Sequence, residues 1–125
     1  MSEENPFKGK TGLRRIWNAS HYSMDGLRSA CRDEAAFRQE VLLAAIMIGS
    51  SFFMPVNGIE QAVMIACVVI VLIVELINSA IEAVVDRVSL ERHPLSKKAK
   101  DLGSAAVLLA LLNVPLVWGV VLFGK

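Results

Sequence analysis

The sequence predicts an all-α membrane protein with three transmembrane helices, preceded by an amphipathic helix at the membrane surface. Its 125 residues are 54% hydrophobic with a mean hydropathy of +0.52, too apolar for an ordinary soluble domain and too few for two domains. Three segments carry no charge, Val41 to Ile59, Gln61 to Val74 and Leu102 to Gly124. Each reaches or approaches the roughly 20 residues that a spanning helix needs. Lys and Arg are distributed one-sidedly. Seven precede the first segment (Lys8, Lys10, Arg14, Arg15, Arg28, Arg32, Arg38), five separate the second from the third (Arg87, Arg92, Lys97, Lys98, Lys100), and Lys125 alone remains. By the positive-inside rule the N-terminus and the second loop are cytoplasmic, while the Pro55-Val56-Asn57-Gly58 turn and the C-terminus face outward.

The elements follow in order within a single domain, 1–125. Residues 1–10 form a polar tail without an apolar core, so no cleaved signal peptide is expected. Over 12–32, Leu13, Ile16, Trp17, Met24, Leu27 and Cys31 share one side of a helical projection, opposite Arg14, Arg15, Asn18, Asp25 and Arg28. That is the pattern of a helix lying in the interface. Ser20, His21, Tyr22 and Ser23 interrupt it, and either a break between two short helices or a polar notch in one helix fits. The first span is expected over about 36–54. The second, over 59–86, would measure about 42 Å, longer than a hydrocarbon core of roughly 30 Å, so its cytoplasmic end must protrude. A loop containing Pro94 leads to the third span, 98–123, with Ser96 as the expected N-cap.

The chemistry is concentrated at the end of the second span, in Glu75-Leu76-Ile77-Asn78-Ser79-Ala80-Ile81-Glu82-Ala83-Val84-Val85-Asp86. Glu75 and Glu82 are two turns apart, so their carboxylates share a face about 10 Å apart, with Asn78, Ser79 and Asp86 near the same line. Carboxylates in a membrane-grade helix are expensive and functional by default. Asp86 alone is explained as well by the helix leaving the membrane. Glu34 and Arg38 have the spacing of a helical ion pair, and a solvated helix start accounts for them. Alternatively, Glu34 enters the membrane near the depth at which Glu82 leaves it, and two such carboxylates can share a divalent cation. Lys97 and Lys98 read as positive-inside anchors, whereas Lys100 beside Asp101 could orient a phosphate and a cation. His21 and His93 are isolated, and Cys31 and Cys67 lack the pattern of a disulfide or a metal cluster. An acid inside the membrane with acids and a lysine at its surface suits phosphoryl transfer from a soluble nucleotide to a lipid hydroxyl, which needs a base, Mg²⁺ and cations. There is no Gly-x-x-x-x-Gly-Lys-Ser/Thr loop and no Gly-rich kinase signature, so the nucleotide site must be of another type.

From about Gly12 to the C-terminus the chain resembles the bacterial integral-membrane diacylglycerol kinases. The resemblance rests on Glu75-x-x-Asn78-Ser79-Ala80-x-Glu82-x-x-Val85-Asp86, on Glu34-Ala35-Ala36-Phe37-Arg38-Gln39-Glu40 and on Ala99-Lys100-Asp101-x-Gly103-Ser104-Ala105-Ala106. It implies a homotrimer in the bacterial inner membrane, with active sites built by neighbouring chains, and ATP-dependent phosphorylation of diacylglycerol to phosphatidic acid with Mg²⁺. By the same resemblance Glu75 would be the catalytic base, Glu34 and Glu82 the metal ligands, and Asn78 a polar support. Arg15, Tyr22, Glu34, Glu82, Glu91, His93, Lys100 and Asp101 would meet the nucleotide, and Glu75, Ser104, Arg38 and Glu40 the lipid. Met24 and Cys31 depart from the family pattern, which carries tryptophans there. Besides ATP, diacylglycerol and membrane lipids, the expected partner is the chain itself, with no nucleic acid.

Two other functions compete. An undecaprenol kinase of the same family would share the acidic motif and phosphorylate a polyprenol; the Glu34 to Glu40 segment favours diacylglycerol. A small proton-coupled transporter would use Glu75 but has little need of the acids and lysine at the cytoplasmic level, and a structural membrane subunit would need none of them.

Overall fold

A computed structural model describes residues 12–125; the polar tail of residues 1–10 lies outside them. Among the described residues there are four helices and no strand: α1 (Gly12–Asp33), α2 (Ala35–Ser51), α3 (Gly58–Val88) and α4 (Pro94–Phe123). The chain divides into two compact units, Met1–Glu34 and Ala35–Lys125.

In the first unit α1 is a single uninterrupted helix, which settles the question raised by Ser20 to Ser23. The Ser20 and Ser23 hydroxyls donate to the carbonyls of Ile16 and Ala19, 2.9 Å each, satisfying themselves within the helix instead of breaking it. Leu13, Ile16, Trp17, Met24 and Leu27 are all exposed, an open apolar stripe that needs a cover. His21 lies edge-on to Trp17, ring centroids 4.8 Å apart. Near the C-terminus Arg32 donates to Asp33 at 2.9 Å, a bond that holds the Asp33 carboxyl below the usual carboxylate range.

The second unit is built around α3, which packs along α4 and, less extensively, α2. Two helices, α3 and α4, are long and apolar enough to cross a membrane. Helix α2, at 17 residues, falls short in length, although Val41 to Gly49 is apolar around its whole circumference. The core comprises Ala44, Met64, Cys67, Val68 and Trp118. Trp118 Nε1 donates to the Met64 carbonyl at 3.1 Å, so the indole fills the α3–α4 seam with its one donor satisfied.

The end of this unit that carries the α2–α3 turn, here the turn end, is closed by polar contacts. Asn57 caps α3: its side chain accepts from the Glu60 N–H at 2.8 Å, and the Glu60 carboxylate accepts from the Asn57 N–H at 3.0 Å. Lys125 reaches Glu60 at 3.4 Å and the Pro55 carbonyl at 2.7 Å, joining the end of α4 to the start of α3. Buried Ser51 donates to the Ile48 carbonyl and accepts from Gln61.

The opposite, loop end departs from expectation at the start of α4. Pro94 opens the helix and His93, not Ser96, is its N-cap, with Nδ1 accepting from the Leu95 N–H at 3.1 Å. Proline at the first helical position lacks only an N–H that would be unpaired there, and its fixed φ already suits the helix. The expected start at residue 98 therefore moves back by one turn.

Candidate active site

Because α3 runs unbroken through Val88, Glu75, Asn78, Glu82 and Asp86 ride on one continuous helix. Asn78 Nδ2 donates to Glu82 Oε1 at 3.3 Å, the i, i+4 contact that helical geometry makes available. One turn on, Asp86 meets Lys100 of α4 at 2.8 Å. Glu82 lies within electrostatic reach of the same ammonium. Lys100 and its neighbour Asp101, which could together orient a phosphate and a cation, do not bond to each other: Asp101 takes Lys97, at 2.6 Å. Adjacent residues of a helix point about 100° apart, whereas residues four apart face each other, so Lys97 wins Asp101 and Lys100 is turned toward α3. Nor are these pairs buried, the Lys100 and Asp86 side chains being 45% and 49% exposed. Their mutual attraction is screened and weak, and either group can turn to a ligand at small cost.

Above these pairs a cleft of about 740 Å³ opens, lined by Asp86, Ser89 to Pro94, Ser96, Lys97, Lys100 and Asp101 among others. Four residues named from the sequence, Glu91, His93, Lys100 and Asp101, border it together. The loop that forms one wall is shaped by Ser89, whose hydroxyl accepts from the Glu91 N–H at 3.0 Å, and by the His93 cap, which engages Nδ1 and leaves Nε2 for a ligand.

Deeper along α3, the Glu75 carboxyl group lies beside that of Glu40 on α2, within electrostatic reach of it. The resemblance assigned both residues to the lipid, but their direct contact was not part of that expectation. Spacing within one helix cannot show it, and the only signal was an acid at the head of an otherwise apolar segment. Glu40 Oε2 is buried without a partner, as is Asn78 Oδ1. Buried polar atoms are normally paired, and both orphans belong to this end of the molecule. Glu40 also stands at one wall of an otherwise apolar groove of about 170 Å³ between α2, α3 and α4, lined by Leu43, Met47, Val71, Leu72, Leu111 and Pro115 among others.

The remaining sequence-predicted residues lie elsewhere. Ser104 and Arg38 are exposed and border neither cleft. Arg15 and Tyr22, both exposed on α1, and Glu34, which follows α1 outside any helix, belong to the first unit. Glu34 stands between α1 and α2, its N–H bonded to the Ala30 carbonyl at 3.0 Å. Among the described residues no group of three or more His, Cys, Asp or Glu is arranged to hold a metal ion.

Comparison with known proteins shows the family of the chain. The family model for prokaryotic diacylglycerol kinase matches residues 21–122. The diacylglycerol kinase of Pseudomonas aeruginosa is 58% identical over 120 residues, covering 96% of this chain and 98% of that protein. Those of Haemophilus influenzae and Escherichia coli are 50% and 46% identical over 113 residues, covering 90% of this chain and 96% and 93% of theirs. The chain belongs to the prokaryotic diacylglycerol kinase family.

Proposed function

We propose that this protein transfers the γ-phosphoryl group of ATP to the free hydroxyl of diacylglycerol, forming phosphatidic acid at the cytoplasmic face of the bacterial inner membrane. One observation carries the reading: a single apolar helix presents a carboxyl group within its span, Glu75 beside Glu40, and two turns later a hydrophilic cluster, Glu82, Asp86 and Lys100, of which Asp86 and Lys100 border a wide cleft. The lipid substrate needs the first depth and the nucleotide the second. The names of the relatives supply the substrate.

In the proposed reaction the lipid oxygen forms a bond to the γ-phosphorus as the bridging bond to the β-phosphate breaks, and ADP leaves. Glu75 accepts the hydroxyl proton. Glu40 sits where it can orient that carboxylate and the hydroxyl, and the groove beside it suits a stretch of acyl chain. Ser104 and Arg38 are assigned to the lipid headgroup region. Lys100 would hold phosphate oxygens, Glu91, His93 and Asp101 the rest of the nucleotide, and Arg15 and Tyr22 would approach from the surface helix.

The donor set fits Mg²⁺. It consists of hard carboxylate oxygens, and Mg²⁺ commonly takes only one or two carboxylates together with substrate phosphates, so a three-residue cluster is not required. Glu34 and Glu82 would hold the ion, which supplies charge neutralisation to the phosphates. Helix α2 would serve as the third span, about 26 Å long by its rise per residue and extended by exposed Phe52 and Phe53. The exposed apolar side chains of α2 and α4, such as Leu42, Ile46, Leu109 and Leu116, are available to lipid and to two further copies in a homotrimer. The charge asymmetry favours a cytoplasmic N-terminus and a periplasmic C-terminus.

The test is transfer of labelled phosphate from ATP to diacylglycerol in mixed micelles, with a polyprenol offered in parallel and Glu75→Gln as the control. Labelled phosphatidic acid from the wild type alone is expected. Preference for the polyprenol overturns the substrate, and full activity of Glu75→Gln overturns the base.

A further inference from the structure

Gly103 stands in the interior of α4, where glycine is disfavoured relative to nearly every other residue. Its surroundings explain the choice. A Cβ built there would collide with Asn78 Oδ1 and lie 3.2 Å from Asn78 Cγ. The helical glycines Gly26, Gly49 and Gly119 have nothing within 4 Å of such a Cβ. The Asn78 side chain therefore occupies the volume that a side chain at 103 would fill, and Gly103 is itself buried.

This fixes which way the amide faces. Its Oδ1 is buried against Gly103 without a conventional donor, while Nδ2 points along α3 to Glu82 Oε1 at 3.3 Å. With oxygen and nitrogen exchanged, a carbonyl would face the Glu82 carboxylate and the NH₂ group would face carbon, so the observed orientation is the favourable one. A Cα hydrogen of Gly103 lies on the side of Oδ1 and offers the weak C–H donor that recurs where helices approach closely. We propose that Gly103 is a positioning residue of the phosphoryl-transfer site, its bare Cα seating Asn78 in α4 so that the amide is presented to Glu82. The inference rests on reading Glu82 as a ligand of the nucleotide-bound metal. A carboxylate held by one oxygen keeps its other oxygen aimed at the ion, and removing such a support costs metal affinity.

The experiment measures Mn²⁺ binding by electron paramagnetic resonance, in the presence of a non-hydrolysable ATP analogue, on full-length protein in detergent. The variants are Gly103→Ala, Asn78→Ala, the double variant and Glu82→Gln. Gly103→Ala and Asn78→Ala are each expected to weaken binding about tenfold. The double variant is expected to be no weaker than either single one, because a methyl group at 103 has nothing to displace once residue 78 is Ala. Wild-type affinity in Gly103→Ala, or losses that multiply in the double variant, overturns the proposal. Should Gly103→Ala fail to fold, the double variant is expected to recover the folded protein on gel filtration, and its failure to do so overturns the proposal as well. Unchanged affinity in Glu82→Gln removes the metal reading of Glu82 and this inference with it. A loss there with none in Gly103→Ala removes the inference alone.

Discussion

The two ends of the α2–α4 unit use similar polar residues to opposite purposes. At the turn end Ser51, Asn57, Glu60, Gln61 and Lys125 bond to one another or to the backbone, while Trp118 closes the neighbouring seam. At the loop end two buried oxygens, of Glu40 and Asn78, have no partner, and Lys100 and Asp86 meet half-exposed beside an open cleft. The difference has an energetic meaning. An unpaired buried polar atom costs roughly 1–3 kcal/mol, so a chain that satisfies its polar groups at one end, but at the other leaves the Glu40 oxygen unpaired and seats the Asn78 oxygen against the bare Cα of Gly103, gives up stability there in favour of placing the side chains of the site. Substitutions at the loop end should therefore act on substrates and turnover, and those at the turn end on stability.

The largest effect is expected from Glu75→Gln. General-base catalysis contributes about 10²–10⁴-fold, so turnover in mixed micelles should fall by about a thousandfold while binding of the ATP analogue is unaltered. Equal loss of both would make Glu75 a structural residue and erase the contrast between the ends. Glu82→Gln should raise the half-saturating Mg²⁺ concentration by about 10–100-fold. A Mg²⁺ titration that superimposes on the wild type would rule out ligation. Glu40→Gln removes the acid facing Glu75 and should lower kcat/KM for diacylglycerol by about tenfold, with the KM for ATP unchanged. A shift in the ATP constant would move Glu40 out of the lipid half of the site.

That these groups share one long apolar helix was legible in the sequence, because α3 is long and apolar enough for a charge within it to stand out. Glu75, Asn78 and Glu82 share a face by helical arithmetic alone, and the Asn78–Glu82 contact is the i, i+4 neighbour that arithmetic allows. Contacts across helices were not legible. The partnership of Lys100 with Asp86 and the meeting of Glu40 with Glu75 depend on the register of packed helices, which no spacing within one segment encodes. Lys100 beside Asp101 suggested a pair because sequence adjacency is visible, while helical geometry sends the two apart. The start of α4 was misjudged for a local reason: Ser96 is a good cap by type, but Pro94 at the first turn lets His93 take that role. Gly103 was visible only as part of a small-residue motif, since nothing in the sequence says which glycine has a neighbour inside the space of its missing side chain.

The smallest effect belongs to the turn end and provides the sharpest test of the division. Asn57→Ala removes the side-chain half of the capping box that opens α3, leaving the Glu60 N–H without its acceptor at 2.8 Å. Loss of such a cap costs about 1 kcal/mol, which for a chain of this size lowers the thermal midpoint by about 4 °C. The site is remote. From Asn57 to Glu75 the helix rises about 27 Å, and the intervening seam is packed by Met64, Cys67, Val68 and Trp118. A helix held along its length by that core does not slide when its first turn frays, so kcat and both KM values should remain those of the wild type. Thermal unfolding and steady-state kinetics on the same preparation check both halves. A fall in kcat/KM alongside the lower midpoint would mean that the cap sets the axial register of α3, and through it the depth of Glu75.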